Sequence, residues 1–421
     1  MKGLGGLFLI VRRSLRQHAL STIITACSIA LASGLVMAVF AIQIQTREAF
    51  TGGSLGYDAV LGARGSSLQL VLNTVFHLET SPGNIPYSMY TEIKKDPRVT
   101  LAIPYAVGDN YQGYRIVGTS DELFTKFEYQ HGKKFQFQAG GRAFDPTKNE
   151  AVIGSFVAAQ TGLIIGSTFT PYHGLVYDEK MKHNDLYTVV GITETTNTPS
   201  DRVVWIPIDG IYRMSGHVLR GTGDVYKPKE NETIPDEHKE VSAVILKLRS
   251  PQDGINLSQT INVQGKVATL AWPISKTMLE LFDKIGWLSR ILELVAYLVI
   301  AVAAGSILAS IYNSINERRR EFAILRALGA KRMTVFAVIV LEAVAIAAIG
   351  VVLGYLVYAA ILSATAYVVK TQTGVVMNVF RFDSILYITP LVMIAVGALA
   401  GLLPAFKAYR TDVADNLTPI S

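Results

Sequence analysis

Four long runs almost free of ionisable side chains constrain this chain more than any other feature. The first, "ALSTIITACSIALASGLVMAVFAIQIQT", spans Ala19 to Thr46; the second runs from Leu294 to Asn316. The third extends from Met333 to Ala366 with one carboxylate, Glu342, inside it, and the fourth from Ser384 to Phe406. A hydrocarbon core about 30 Å thick takes about 20 residues of helix to cross, because lipid offers no partner for an open backbone. Each run is long enough, so four transmembrane helices are expected. The first is too long for the apolar segment of a signal peptide, about 7 to 15 residues, and continues past Ser33, so it reads as an uncleaved span.

Composition sets the remainder. Of 421 residues, 50% are hydrophobic and 17% charged, and mean hydropathy is +0.32, too apolar for an ordinary soluble protein. The roughly 240 residues between the first two runs suffice for one or two domains with cores of their own. The formal net charge of +6 comes from basic residues beside the apolar runs, which points to anionic lipid headgroups and away from nucleic acid. Lys2, Arg12, Arg13 and Arg16 precede the first run; Arg318, Arg319, Arg320, Arg326, Lys331 and Arg332 lie between the second and third; Lys407 and Arg410 follow the fourth. The short segment between the third and fourth holds only Lys370 and Arg381. Positive residues stay inside, so both termini and the 317–332 segment are expected in the cytoplasm and the long 47–283 segment outside it.

The inner segment, "NERRREFAILRALGAKRMTVF", has a pattern of its own. Phe322, Leu325 and Leu328 recur at helical spacing with Ile324 beside them, Arg319, Ala323 and Arg326 line another face, and Gly329 is placed to supply a left-handed cap. A short helix on the membrane surface is expected. Ahead of the second run, Met278, Leu281, Phe282, Ile285, Leu288, Leu292 and Val295 keep helical spacing through the outer boundary, which predicts one continuous helix. Gly350 and Gly354 in the third run, and Gly397 and Gly401 in the fourth, form G-x-x-x-G patterns that suit close packing between these two spans or across a dimer axis. Glu342, which would cost about 2.5–3.5 kcal/mol facing lipid, is expected to face protein in a structural contact.

In the outer segment "VTLAIPYAVG", "YRIVGTS", "TVVGI", "VVWIPI" and "SAVILKL" read as strands, and "SMYTEIKKD" and "GSFVAAQTG" as helices, giving a mixed α/β domain with a β-richer insertion. The polar stretch from Gly221 to Glu240 reads as a mobile loop. Leu68, Val71, Leu72, Val75 and Phe76 fall on one face of an amphipathic helix. Burial is the plainer reading; a surface for lipidic cargo or a partner is the sharper one. Chemistry finds little support. Cys27 alone excludes an intrachain disulfide and a cysteine-based zinc site. His77, His131, His173, His183, His217 and His238 show no H-E-x-x-H or paired ligand spacing, so no metal centre is read, although ligands can converge from distant positions, and His77 reads as a surface residue.

The block "ERRREFAILRALGAKRMTVF", followed by "LEAVAIAAIGVVLGYLVYA", resembles permeases of the MacB, LolC/LolE and FtsX type, four-span subunits of ABC transporters. "GALAGLLPAFKAYRTDVADNL" is similar to that family's last span, and "LFLIVRRSLRQHALSTIITACSIALASGLVM" to its amphipathic first helix and first span. "EAVIGSFVAAQTGLIIGSTF", "YTVVGITETT" and "DRVVWIPIDGIYRM" resemble segments of the MacB-like periplasmic domain. The resemblance implies an order along the chain: amphipathic helix and first span (1–46), extracytoplasmic α/β domain (47–283), stalk and second span (284–316), coupling helix (317–332), third span (333–366), outer loop (367–383), fourth span (384–406) and tail (407–421). It implies a bacterial inner-membrane permease bound to two copies of a separate ATPase and to a second permease copy or paralogue. A periplasmic adaptor or substrate protein and membrane lipids complete the partners.

In that family the short helix sits in a groove of the ATPase. The resemblance therefore assigns Glu317, Arg318, Arg319, Arg320, Glu321 and Arg326 to charged contacts there, Phe322 and Leu325 to apolar anchors, and Gly329 to the helix end. No G-x-x-x-x-G-K-[ST] motif occurs, so ATP and magnesium belong to the partner and this chain binds no cofactor. Export or extraction of a hydrophobic or lipidated substrate is the first reading. FtsX-like signalling to an external partner is the second, and a metal-linked transport system or a membrane-anchored enzyme ranks lower.

Overall fold

The computed structural model describes residues 2–51, 56–174, 176–214, 217–221, 223, 225, 234–379 and 381–410. The chain forms two compact units, one of residues 1–46, 285–367 and 378–421, the other of residues 47–284 and 368–377.

The first unit is helical. Numbered along the chain, its helices are α1 (Lys2–Gln17), α2 (Ala19–Thr51), α10 (Gly286–Glu317), α11 (Arg319–Ala327), α12 (Arg332–Thr373) and α13 (Ile385–Arg410). Four of them, α2, α10, α12 and α13, are long and apolar enough to cross a membrane. Their shared interior is built largely from small and β-branched side chains, including Ala26, Ile29, Ile307, Ala343, Ala347 and Val351. Without a hydrophobic driving force in lipid, such helices associate through close van der Waals contact, which small residues permit.

The glycines show where the backbones come nearest. A Cβ on Gly350 would lie 2.6 Å from the Ile29 side chain, and one on Gly354 would lie 2.0 Å from Ser33 Oγ, so this pair packs α12 on α2. Gly397 and Gly401 meet Ala347 and Ala343 at 2.6 and 2.7 Å and pack α13 on α12. Only the second motif joins the third and fourth spans; the first turns toward the first span, and both are used within one chain.

In the second unit, a mixed sheet of ten strands carries the fold. The strands are β1 (Ala59–Ala63), β3 (Val99–Tyr111), β4 (Tyr114–Thr119), β5 (Glu150–Ile153), β6 (Thr168–Phe169), β7 (Tyr172–His173), β8 (Tyr187–Ile192), β9 (Val204–Pro207), β11 (Ala243–Leu248) and β12 (Ala268–Ala271). They run in the order β12-β1-β11-β3-β4-β9-β5-β8-β6, with β7 pairing to β3 beside that path, while β2 (Ile85–Pro86) and β10 (Glu240–Val241) form a separate pair. Helices α3 (Ser67–Thr74), α4 (Tyr87–Lys95), α5 (Glu122–Thr125), α6 (Ser155–Thr161), α7 (Ile208–Arg213), α8 (Pro251–Ser258) and α9 (Ile274–Lys284) complete it. Alternating strand side chains feed two cores: Ile116, Val189, Val204 and Val244 enter one, Val117, Val152, Trp205 and Ile245 the other. The strands expected as a β-richer insertion are continuous with the main sheet.

One expectation changes. The helix ahead of the second span is not continuous: α9 ends at Lys284, Ile285 leaves helical geometry at φ −92° and ψ 6°, and α10 starts at Gly286. Apolar periodicity persists across a one-residue interruption and cannot register it, and Gly286 is the local weak point. The amphipathic stripe after β1 is interior. Val71, Val75 and Phe76 are 0%, 3% and 2% exposed, and Leu68 and Leu72 pack partly buried against the same cluster with Val60, Ile274 and Met278. The plainer reading, burial, describes this stripe: a strand, α9 and Phe50 pack against it. Half of the polar stretch from Gly221 to Glu240, and the tail beyond Arg410, lie outside the described residues.

Candidate functional site

The charged segment folds into a corner with its own lock. α10 runs to Glu317, Arg318 leaves the helix at φ −101° and ψ 11°, and α11 begins at the next residue. Because no loop intervenes, the Arg318 side chain points inward and is almost wholly buried. Its Nη1 donates to Ser14 Oγ at 2.6 Å and to Glu342 Oε2 at 3.1 Å, and its Nε to Glu321 Oε2 at 3.1 Å. Ser14 Oγ donates in turn to Glu342 Oε1 at 2.6 Å, and the guanidinium lies 4.9 Å over the Phe322 ring. Three helices, α1, α11 and α12, meet through these groups. Glu342 therefore makes the structural contact expected of it. An ionised pair out of water is tolerable only when each charge is matched and the remaining donors and acceptors are used, which Ser14 and Glu321 accomplish here.

This geometry divides the basic block. Arg318 and Phe322 were expected to touch a partner; both are buried and hold the corner instead. Ala323 is buried with them, and Leu325 packs against the same helical core. Glu317 is exposed and pairs with His18 at 3.2 Å, and Glu321 is spent on Arg318 and Gln17. What α11 presents outward is Arg319 and Arg320 with two apolar side chains, Ile324 and Leu328, the last 80% exposed. Arg326, half-buried, edges that face. Gly329 adopts φ +98°, and α11 closes on it with Gly329 N–H to Arg326 O and Ala330 N–H to Leu325 O, the paired bonds of a Schellman motif. The sequence pattern located the helix and its cap but rotated its faces, because it could not know that the inner side is set by α1 and α12.

Residues 293–413 match the FtsX-like permease C-terminal family, and residues 22–262, more than half of the chain, match the MacB-like periplasmic core domain. This chain belongs to the FtsX-like ABC transporter permeases with a MacB-like periplasmic core domain. The chain is similar to the periplasmic region of MacB from Actinobacillus actinomycetemcomitans, at 12% identity and a TM-score of 0.33 over 55% of this chain and 94% of that one. It is also similar to the extracellular domain of the noncanonic ABC-type transporter YknZ from Gram-positive bacteria, at 13% identity and a TM-score of 0.28 over 51% and 99%. Among curated proteins no relative matches. The permease is thus a multi-pass membrane protein with an extracytoplasmic domain.

Within that domain the fold assembles a group that spacing along the sequence did not reveal. Asp109, His173, His183 and His217 place one ligand atom each within 4.8 Å of all the others. The register of β3 on β4 shifts between Val107 and Asp109, a bulge at Gly108 that re-aims the following side chain, and Asp109 is fully buried. β7 pairs with β3 so that His173 faces Asp109 directly. The same turn is fixed by Asn110 Nδ2, which lies within 3.1 to 3.4 Å of the carbonyls of Tyr172, Gly174 and Val176. His183 arrives by its N–H bond to Pro171 O, and His217 follows α7 through His217 N–H to Met214 O. Burial would raise the Asp109 carboxyl, yet the three histidines set around it hold it well below the usual range. The bond to Asp109 in turn raises His173.

His77 also differs from its expected surface place. Its ring lies 5.9 Å from Trp205 and 6.4 Å from Tyr105, and burial, then the nearby Arg115 charge, push its pKa down to about 3.

Proposed function

We propose that this permease couples ATP hydrolysis on a separate ATPase subunit to movement of its extracytoplasmic domain, for export or extraction of a hydrophobic or lipidated substrate. The observation that carries the coupling half is the outward face of α11: two arginines and two exposed apolar side chains on a helix whose inner side is locked by a buried ion pair. Guanidinium groups suit charge-assisted contacts to carboxylates, and exposed Leu328 and Ile324 suit an apolar pocket, the usual composition of a docking anchor. The lock matters because a helix that transmits displacement must not yield when pushed. The excess of Lys and Arg beside α11 and at both chain ends supports a cytoplasmic location for them, within reach of an ATPase. The cargo class rests on the family. The assembly proposed is two permease chains, identical or paralogous, with two ATPase subunits that carry ATP and magnesium.

Co-purification with the ATPase tests the docking. Arg320→Glu and Leu328→Asp should each reduce ATPase recovery at least tenfold while leaving the permease's own melting temperature unchanged, since both residues are exposed. Recovery equal to wild type in both variants would refute the assignment. Depleting the ATPase should abolish cargo release; unaltered release with a cell-envelope defect would favour signalling to an external partner.

A further inference from the structure

We propose that Asp109, His173, His183 and His217 form a binding site for one late first-row divalent cation, zinc foremost, on the extracytoplasmic domain. The site is independent of the ATPase reading.

The distances carry the argument. Asp109 Oδ1 lies 3.3 Å from His173 Nδ1 and 3.1 Å from His183 Nε2, and Asp109 Oδ2 lies 3.3 Å from His217 Nε2. Zinc bonds to imidazole nitrogen and carboxylate oxygen at about 2.0–2.2 Å, so the edges of a tetrahedron around it measure about 3.3 Å. The two separations from Asp109 Oδ1 already have about that length, and all four ligand atoms, one per residue, lie within 4.8 Å of one another. Three nitrogens and one oxygen also suit zinc, copper or nickel, whereas magnesium and calcium prefer all-oxygen shells.

Hydrogen bonding alone leaves the group incomplete. Asp109 Oδ1 takes both His173 and His183, but Asp109 Oδ2 and His217 Nε2, although 3.3 Å apart, are oriented so that neither has a hydrogen-bond partner. A buried carboxylate oxygen and a buried ring nitrogen left facing each other without a bond are unfavourable, because neither recovers the hydration it gave up. A cation between them would satisfy both at once. The surroundings fit an ion that can come and go. The Asp109 and His183 side chains are 0% and 6% exposed and close the inner side, while the His173 side chain is 51% exposed and opens the outer one. The three rings stand 5.1 to 5.7 Å apart, centroid to centroid, around the carboxylate. Binding would tie β3, the β7 turn and the segment after α7 to one point.

The test uses the full-length permease in detergent, purified through a tag without histidine and stripped with a chelator. Zinc chloride titrated in a calorimeter should reveal one high-affinity site per chain and should raise the melting temperature. Asp109→Asn and His183→Ala should each weaken binding at least 100-fold, and His131→Ala, exposed and remote in role, should bind as wild type does. If Asp109→Asn fails to fold, His217→Gln supplies the same comparison from a side chain 15% exposed. X-ray absorption of the zinc-loaded wild type should show about four nitrogen and oxygen neighbours at 2.0–2.2 Å. No stoichiometric binding by wild type, undiminished binding by the ligand variants, or a six-oxygen shell would each overturn the proposal and leave a hydrogen-bonded histidine array.

Discussion

Arg318 shows how one residue can be misassigned by its company. It stands in a run of charges, yet its side chain is buried against Glu342 and Ser14 while Arg319 and Arg320 stay outside. Arg318→Ala should therefore act differently from Arg319→Ala. Removing one partner of a buried ion pair leaves the other charge uncompensated, a loss of about 3–5 kcal/mol, whereas exposed substitutions fall within about 0.5 kcal/mol. Thermal unfolding in detergent should show a large drop in melting temperature for Arg318→Ala and none for Arg319→Ala. Equal stability of the two would mean that the buried pair does not hold the corner. That Glu342 needs an internal partner was legible, because a carboxylate in an apolar run has few places to go. Which partner was not: Ser14 lies 328 positions away and has no pattern to mark it. Asp109 and His183 are likewise 74 positions apart, and only the pairing of β7 with β3 brings the histidine turn to the carboxylate.

At the scale of elements, apolar runs and strand alternation gave most of the fold, because burial and period are local properties of the chain. The expected strands and helices of the outer domain are all present, and all four long helices are found. Faces and interruptions were less legible. Gly350 and Gly354 advertised close packing but not its target, which depends on how α2 and α12 cross. The contact makes a sharp prediction. Gly354→Leu must displace Ser33 or the α2 backbone, and overpacking of this kind costs about 1–3 kcal/mol. Gly305 on α10 has nothing within 4 Å of the Cβ position, and Gly305→Ala replaces a poor helix former with a good one. Thermal melts should show Gly354→Leu destabilised and Gly305→Ala unchanged or more stable. If both melt alike, the α2–α12 contact is not a site of close packing. The break at Ile285 is the counterpart case, where a perfect stripe concealed a change of backbone.

For the whole molecule, the distribution of Lys and Arg predicts topology, and one native cysteine makes it measurable. In a Cys27→Ser background, a cysteine at position 319 should react with an impermeant maleimide only after the inner face is opened. A cysteine at exposed Lys126 in the outer domain should react in intact cells or spheroplasts. Labelling of position 319 from outside would invert the permease and remove α11 from any ATPase.

The corner at Arg318 separates two jobs that a short helix usually has to share. Side chains that keep it folded, Arg318, Phe322 and Ala323, are not the ones it shows to the outside, Arg319, Arg320, Ile324 and Leu328. The outward four can be rewritten like the teeth of a key while the shank stays rigid. Under the docking proposed above, swapping them for the corresponding residues of another permease should redirect this chain to a different motor without rebuilding its scaffold.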